Sequence, residues 1–118
     1  MSPSAGIGDI GMPLKDQVAQ YIHVISEIDK RNIGYILLVR YICTIPHRYP
    51  LTAAFMDVFL DGKMRGTNHD VWATYLPLIK HSKKFLNGDI SIEEAEKLVA
   101  DGVGDVIVFG RFMQELSY

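Results

Sequence analysis

Two short segments near the end of the sequence combine glycine with a charged residue in a pattern that suits anion binding. Gly88-Asp89 follows the run "KKFLN", and Gly110-Arg111 follows "VIVF", so each pair comes directly after a predicted strand. Glycine lets a backbone N–H approach a phosphate closely, and an arginine side chain can hold two phosphate oxygens at once. The two pairs therefore suggest an anion-binding site. The alternative is that they are two turn glycines and a surface arginine.

The sequence between the two pairs predicts that they are neighbours in space. Ser91, followed three residues later by Glu94, forms a capping box that begins a helix, and Gly102 is a natural end for it. A strand, a helix and a second strand in succession indicate a parallel sheet with a right-handed connection. Ligands of such sheets bind at the carboxyl ends of the strands, which is where both pairs lie.

The first third of the chain supplies another helix and another strand. Residues 1–12 are rich in glycine and serine and are predicted to form a loop. Pro13 then opens an amphipathic helix, which ends where Asn32 or Gly34 adopts the left-handed conformation. The run "YILLVRYI", 35–42, is apolar almost throughout, and this indicates a strand that is buried on both faces of a parallel sheet.

The middle of the chain continues the alternation. After a loop with two prolines, the pattern at 51–60 is helical, and Asn68 is the predicted N-cap of a further helix that Pro77 kinks or ends early. The last predicted strand is 105–109. Strands that alternate with helices in this way define the fold class as α/β.

Composition narrows the function classes. Hydrophobic residues make up 48% and charged residues 22% of the 118 residues, as in a globular domain, and the net charge of −2 offers no footprint for nucleic acid or for a membrane surface. The single cysteine, Cys43, fits a reducing compartment, and the four histidines show no metal-ligand spacing. No signal peptide or membrane-spanning run is read. We therefore expect a cytoplasmic protein without a metal site and without nucleic-acid or membrane partners.

The run "KKFLNGDISIEEAEKLVADGVGDVIVFGR" resembles the C-terminal region of the Old Yellow Enzyme family of NADPH dehydrogenases (ene-reductases). In that family a strand is followed by a glycine pair or Gly-Asn, then by a short helix, and then by a strand that ends "FGR" or "YGR". The segment "SPSAG…DIGMPLKDQVAQYIHVISEIDKRNIGYILLVR" is similar to the part of the family that runs from its "RLSP" motif to its sixth strand. The resemblance implies a partial (β/α)8 TIM barrel, with the last three of eight strands, as a single incomplete segment over 1–118.

The resemblance also implies a cofactor and its ligands. The backbone at Gly88 and Asp89 and at Gly110 and Arg111 would hold the phosphate of FMN, and the Arg111 side chain would supply the counter-charge. In the family, NADPH donates the electrons and an electron-poor alkene of the enone type accepts them. This sequence departs from the family at Asp89, which replaces a glycine and places a carboxylate close to the expected phosphate. The family's histidine-histidine or histidine-asparagine pair, which binds substrate, and its proton-donating tyrosine have no counterpart in this sequence. Catalytic residues therefore stay unassigned.

An incomplete barrel has consequences for partners and for function. Open sheet edges and an exposed apolar face predict self-association or pairing with a complementary barrel segment. Two functions stay open. The chain is a fragment of an FMN-dependent NAD(P)H oxidoreductase, or it is a catalytically inactive, truncated remnant that acts as an anion-binding or interaction module.

Overall fold

The computed structural model of the chain describes residues 1–4, 12–40, 59–60, 63–64 and 67–109. The predicted loop at 43–50 and the pair Gly110-Arg111 lie outside these ranges. The helices and strands, in chain order, are α1 (Leu14–Asp29), β1 (Tyr35–Val39), β2 (Phe59–Leu60), β3 (Lys63–Met64), α2 (Val71–Tyr75), a 3₁₀ helix (Leu76–Leu78), β4 (Lys83–Asn87), α3 (Ile92–Ala100) and β5 (Val106–Ile107).

A parallel sheet of three strands organises the described part of the chain, in the order β1-β4-β5. Leu38 of β1 lies beside Leu86 of β4, and Leu86 lies beside Ile107 of β5. The central strand is therefore β4, and α3 connects it to its neighbour β5. This arrangement confirms the α/β class and the parallel sheet that the sequence predicted.

The core lies on the face of the sheet that packs against the helices. The buried apolar side chains are Ile25, Ile36, Leu38, Val71, Tyr75, Leu76, Ile79, Leu86, Ile90 and Ala95. On the other face, Tyr35 stacks on Phe85 with 4.3 Å between ring centroids, yet Tyr35 is 55% exposed and Val106 is 39% exposed. The prediction that β1 is buried on both faces is therefore wrong. Its residues alternate between the covered and the uncovered face, because side chains alternate along any strand.

Helix α1 begins and ends where local signals place it. The Pro13 carbonyl accepts the first intrahelical hydrogen bond, from Gln17 N at 3.0 Å, so the proline stands just before the first helical residue. After the helix, Asn32 has a φ of 51°. Asparagine tolerates this left-handed conformation better than most residues, and it is Asn32 rather than Gly34 that adopts it.

Helix α3 follows its predicted boundaries. The Ser91 hydroxyl accepts a hydrogen bond from the N–H of Glu94 at 3.2 Å, which is half of the predicted capping box. At the other end, Gly102 has a φ of 70° and its N–H bonds to the Val99 carbonyl at 3.0 Å. The N–H of Val103 also bonds to a carbonyl of the last turn, and together these bonds form a Schellman motif.

Three predictions in the middle of the chain are corrected or refined. The N-cap of α2 is Asp70, whose carboxylate accepts from Ala73 N at 2.9 Å, and not Asn68. Pro77 ends α2 early, as predicted, and the chain continues as the 3₁₀ helix. The helix predicted for 51–60 lies outside the described residues over 51–58, and it is wrong at its last two residues, which form β2 and pair with β3 in antiparallel fashion. The dipeptide Asp61-Gly62 between these strands is typical of hairpins, so the sequence did contain the relevant signal.

Met1 is hydrogen-bonded to the sheet, although the sequence predicted a loop over residues 1–12. The amino group of Met1 donates to the Leu37 carbonyl at 2.6 Å, and the Met1 carbonyl accepts from Val39 N at 2.9 Å. Met1 therefore pairs with the open edge of β1, and burial lowers the pKa of its amino group.

Among the helices that the structure describes, none combines the length and the apolar character needed to cross a bilayer.

Candidate functional site

The carboxyl ends of β4 and β5 lie side by side, as the sequence predicted. Leu86 of β4 pairs with Ile107 of β5, and the two strands are parallel. The amide of Asn87, at the end of β4, donates to the Val108 carbonyl at 2.9 Å. This side-chain bond joins the two strand ends beyond the last backbone pair, and sequence reasoning did not identify it.

Gly88 and Asp89 form the turn between β4 and α3, in backbone conformations that few residues adopt. Their φ angles are 133° and 50°. A Cβ on Gly88 would lie 2.6 Å from Cγ of Arg40, so both the backbone angle and the lack of space require glycine. The other predicted half of the site, Gly110 and Arg111, lies outside the described residues and stays a prediction.

The guanidinium of Arg40 is the group around which this turn is arranged, and sequence reasoning assigned it no role. Arg40 follows β1, and its backbone N–H still bonds to the Asn87 carbonyl at 3.0 Å. Its side chain crosses to the next strand end, where Nε donates to the Gly88 carbonyl at 2.6 Å and Nη2 donates to the Asp89 carbonyl at 2.8 Å. The signal available in the sequence was an arginine at the end of an apolar strand, since a partly buried charge needs partners.

The same guanidinium forms a two-point ion pair with the first turn of α3. Nη1 lies 2.6 Å from Oε1 of Glu94, and Nη2 lies 3.0 Å from Oε2. These bonds hold the pKa of Glu94 below its ordinary value. On the α2 side, Cζ of Arg40 lies 4.8 Å from the ring centroid of Trp72, a cation–π distance. Arg40 thus connects β1, β4, α2 and α3 at one end of the sheet.

Several carboxylates also lie near the turn. Glu93 and Glu94 lie in the first turn of α3, where the helix dipole favours carboxylates. Asp89 lies close enough to Glu94 that its charge acts to raise the Glu94 pKa, against the larger effect of Arg40. An anion at this helix end would therefore meet carboxylates as well as backbone N–H groups, as the departure from the family pattern at Asp89 suggested.

A second carboxylate is more deeply buried. Asp29, at the end of α1, is 3% exposed and accepts hydrogen bonds from three successive backbone N–H groups, those of Lys80, His81 and Ser82. Burial acts to raise its pKa, but the backbone N–H groups outweigh burial and hold the pKa at about 2. The contact ties the end of α1 to the segment that enters β4, so its role is structural.

His69 and Tyr75 form a polar pair in which the tyrosine is buried and the histidine is half-buried. The Nδ1 atom of His69 lies 2.9 Å from the Thr67 carbonyl and Nε2 lies 3.0 Å from the Tyr75 hydroxyl. A carbonyl oxygen can only accept, so Nδ1 donates to it, and in the tautomer with its proton on Nδ1 the Nε2 atom accepts from the tyrosine hydroxyl. Both ring nitrogens are thus engaged within the protein. Across the described ranges, no group of three or more histidine, cysteine, aspartate or glutamate side chains is arranged to hold a metal ion.

Comparison with protein-family models, curated proteins and solved structures gives no match. The fold and the site define the class only coarsely, as an α/β protein with a three-stranded parallel sheet whose central strand ends in a glycine turn held by an arginine. The function is therefore inferred from this geometry and from the sequence resemblance.

Proposed function

We propose that the chain is part of an FMN-dependent NAD(P)H oxidoreductase of the ene-reductase type, and that the ends of β4 and β5 hold the FMN phosphate. One observation carries the proposal. The two strands whose ends bear the predicted glycine pairs are adjacent and parallel, and Gly88 has a positive φ directly after β4. Phosphate sites of α/β barrels lie after the last two strands. The backbone at Gly88, Asp89 and Gly110 would bind the phosphate, and the Arg111 side chain would neutralise it.

The redox chemistry would come from the cofactor. Bound FMN supplies hydride transfer from NADPH to an electron-poor alkene of the enone type. The residues of this chain would bind and orient the phosphate end of the cofactor. No residue of the chain is assigned to bind the alkene or to donate a proton to it, so the isolated chain is expected to bind FMN without turnover.

The sheet fits the last three strands of a (β/α)8 barrel, and this part of the proposal implies a partner. In such a barrel, one face of the sheet packs against helices and the other lines the interior. Tyr35 and Val106, on the face away from the helices, are 55% and 39% exposed. A complementary barrel segment or a second copy of the chain would cover them.

The alternative is a catalytically inactive remnant that acts as an anion-binding or interaction module. The charges at the turn favour it, because Asp89 and Glu94 oppose a phosphate and Arg40 is already paired with Glu94. Binding of inorganic phosphate without preference for flavin would support this alternative.

Titration of the purified chain with FMN and with riboflavin tests the proposal, since only FMN carries the phosphate. Arg111→Ala should weaken FMN binding about tenfold or more, because it removes a charge-assisted pair, and should leave riboflavin binding unchanged. Arg31→Ala, at an exposed arginine just after α1, is the matched control. Absence of FMN binding at high micromolar concentration would contradict the proposal for the isolated chain.

Asp89→Asn tests the described half of the site. Asparagine tolerates a φ of 50° as well as aspartate does, so the turn is retained while one negative charge is removed. Because like charges near a phosphate repel it, FMN affinity should rise about three- to tenfold and riboflavin affinity should not change. An equal change for both ligands would place the phosphate elsewhere.

A further inference from the structure

Arg40 places nearly all of its hydrogen-bonding capacity inside the protein. A guanidinium has five N–H donors, and four of the Arg40 donors bond to the Gly88 carbonyl, the Asp89 carbonyl and the two oxygens of Glu94. Its side chain is only 29% exposed. Arg40 is therefore poorly suited to be a direct ligand of an external anion, although it lies at the predicted anion site.

The carbonyl contacts determine how the two peptide groups of the turn are oriented. The described part of the chain has no cis peptide bond, and in a trans peptide the carbonyl and the following N–H point in opposite directions. Because the Gly88 and Asp89 carbonyls point towards the guanidinium, the N–H groups of Asp89 and Ile90 point away from it. The arginine thus turns two successive N–H groups towards the opposite side of the turn.

The hydrogen bonds from Arg40 to the two carbonyls also offset the unfavourable backbone conformation of Asp89. A left-handed aspartate is disfavoured by about tenfold relative to ordinary conformations. A hydrogen bond from a charged donor favours its geometry by roughly ten- to a hundredfold. The bond from Nη2 to the Asp89 carbonyl, together with the bond from Nε to Gly88, is therefore enough to hold Asp89 at a φ of 50°.

We propose that Arg40 is a positioning residue that fixes the conformation of the Gly88-Asp89 turn, and that Glu94 compensates its charge without being needed for that conformation. The effect on cofactor binding rests on the proposed function, because it assumes that the turn contacts the FMN phosphate. Lysine cannot replace Arg40, since an ammonium group lacks the planar fork that reaches two carbonyls and a carboxylate at once.

Two substitutions separate positioning from a general contribution to folding, because both break the two-point ion pair. Arg40→Lys removes the fork, whereas Glu94→Gln keeps Arg40 and its carbonyl bonds. The Cα and Cβ chemical shifts of Asp89, measured by NMR, report whether its φ stays positive. We expect the shifts to leave the left-handed range in Arg40→Lys and to stay there in Glu94→Gln, with Arg31→Lys as the control.

The ligand measurements should change in opposite directions. Arg40→Lys should weaken FMN binding about tenfold and riboflavin binding hardly at all, because the proposed function places the oriented N–H groups against the phosphate and not against the flavin ring. Glu94→Gln should strengthen FMN binding about threefold, because one negative charge near the phosphate is lost. A merely structural role of the ion pair would make both variants bind more weakly.

The outcomes distinguish the two proposals. If the natural sequence does not bind FMN, the proposed function fails, and the chemical shifts of Asp89 still decide the role of Arg40. If Asp89 keeps its shifts in Arg40→Lys, positioning by Arg40 is overturned whatever FMN does. If Arg40→Lys does not fold, Glu94→Gln decides alone, since loss of the left-handed shifts there would mean that the ion pair and not the arginine holds the turn.

Discussion

Replacing Asp29 with asparagine removes a buried charge that three backbone N–H groups stabilise. The folded protein lowers the pKa of this carboxyl group from its ordinary value of 3.8 to about 2. A difference of one pKa unit corresponds to about 1.4 kcal/mol, so the depression contributes about 2 kcal/mol to the free energy of unfolding at neutral pH. That is a large share of the 5–15 kcal/mol or so that stabilises a typical domain.

The pH dependence of this contribution has a definite sign. Because the pKa of Asp29 is lower in the folded chain than in the unfolded chain, the stabilisation is complete above about pH 5 and is lost as the pH falls through 2. Asparagine carries no charge at any pH, and its NH₂ group would replace one acceptor oxygen with a donor that faces the backbone N–H of Lys80 or of Ser82. The variant should therefore be less stable by about 2–3 kcal/mol at pH 7 and by less than about 1 kcal/mol at pH 2.

Urea unfolding of both proteins at pH 7, 4 and 2, followed by far-ultraviolet circular dichroism, measures this difference. Other carboxyl groups titrate in both proteins, so the difference between the two isolates Asp29. Glu96→Gln, at an exposed position of α3, is the control and should change stability by less than about 0.5 kcal/mol at each pH. A difference between the Asp29 variant and the natural sequence that stays constant from pH 7 to pH 2 would refute the reasoning.

Two further predictions concern packing and a buried hydrogen bond. Gly104→Ala should cost about 1–3 kcal/mol of stability, because the new Cβ would lie 2.6 Å from Cδ1 of the fully buried Leu86. Gly102→Ala should cost only about 1 kcal/mol, which is the cost of placing an alanine in the left-handed conformation. The Cβ that alanine adds there would have no atom within 4 Å, so no packing cost is expected. Equal losses in urea unfolding would contradict this packing. Tyr75→Phe should cost about 1–2 kcal/mol, because Nε2 of His69 loses its donor. NMR of the His69 ring should still show the proton on Nδ1, and its transfer to Nε2 would contradict the assigned hydrogen bonds.

Local signals predicted the elements that the structure confirms. Pro13 and Asn32 mark the ends of α1, and Ser91 and Gly102 mark those of α3, because each acts on atoms within a few residues of itself. The adjacency of β4 and β5 was predictable for the same reason, since a short helix between two strands leaves few topologies.

The contacts that shape the candidate site were not predictable in this way. Arg40 reaches partners that are 48 to 54 residues distant in sequence, and Asp29 reaches partners at a distance of 51 to 53. Nothing in the local sequence of either residue names these partners. Gly88 shows the limit most clearly. Its glycine was interpreted as a place for close approach of a phosphate, which stays a prediction, and the structure adds a second reason for glycine, since the Arg40 side chain lies where a Cβ would be.

The Asp29 contact has a consequence for how the sequence can vary among relatives. The carboxylate accepts from the backbone N–H groups of Lys80, His81 and Ser82, so these three hydrogen bonds do not depend on which side chains the donors carry. Any residue except proline supplies the same donor. Evolutionary drift should therefore be wide at the exposed positions 80 and 81, with proline absent from 80–82, while aspartate at position 29 is retained. Ser82 is buried, so burial restricts that position further.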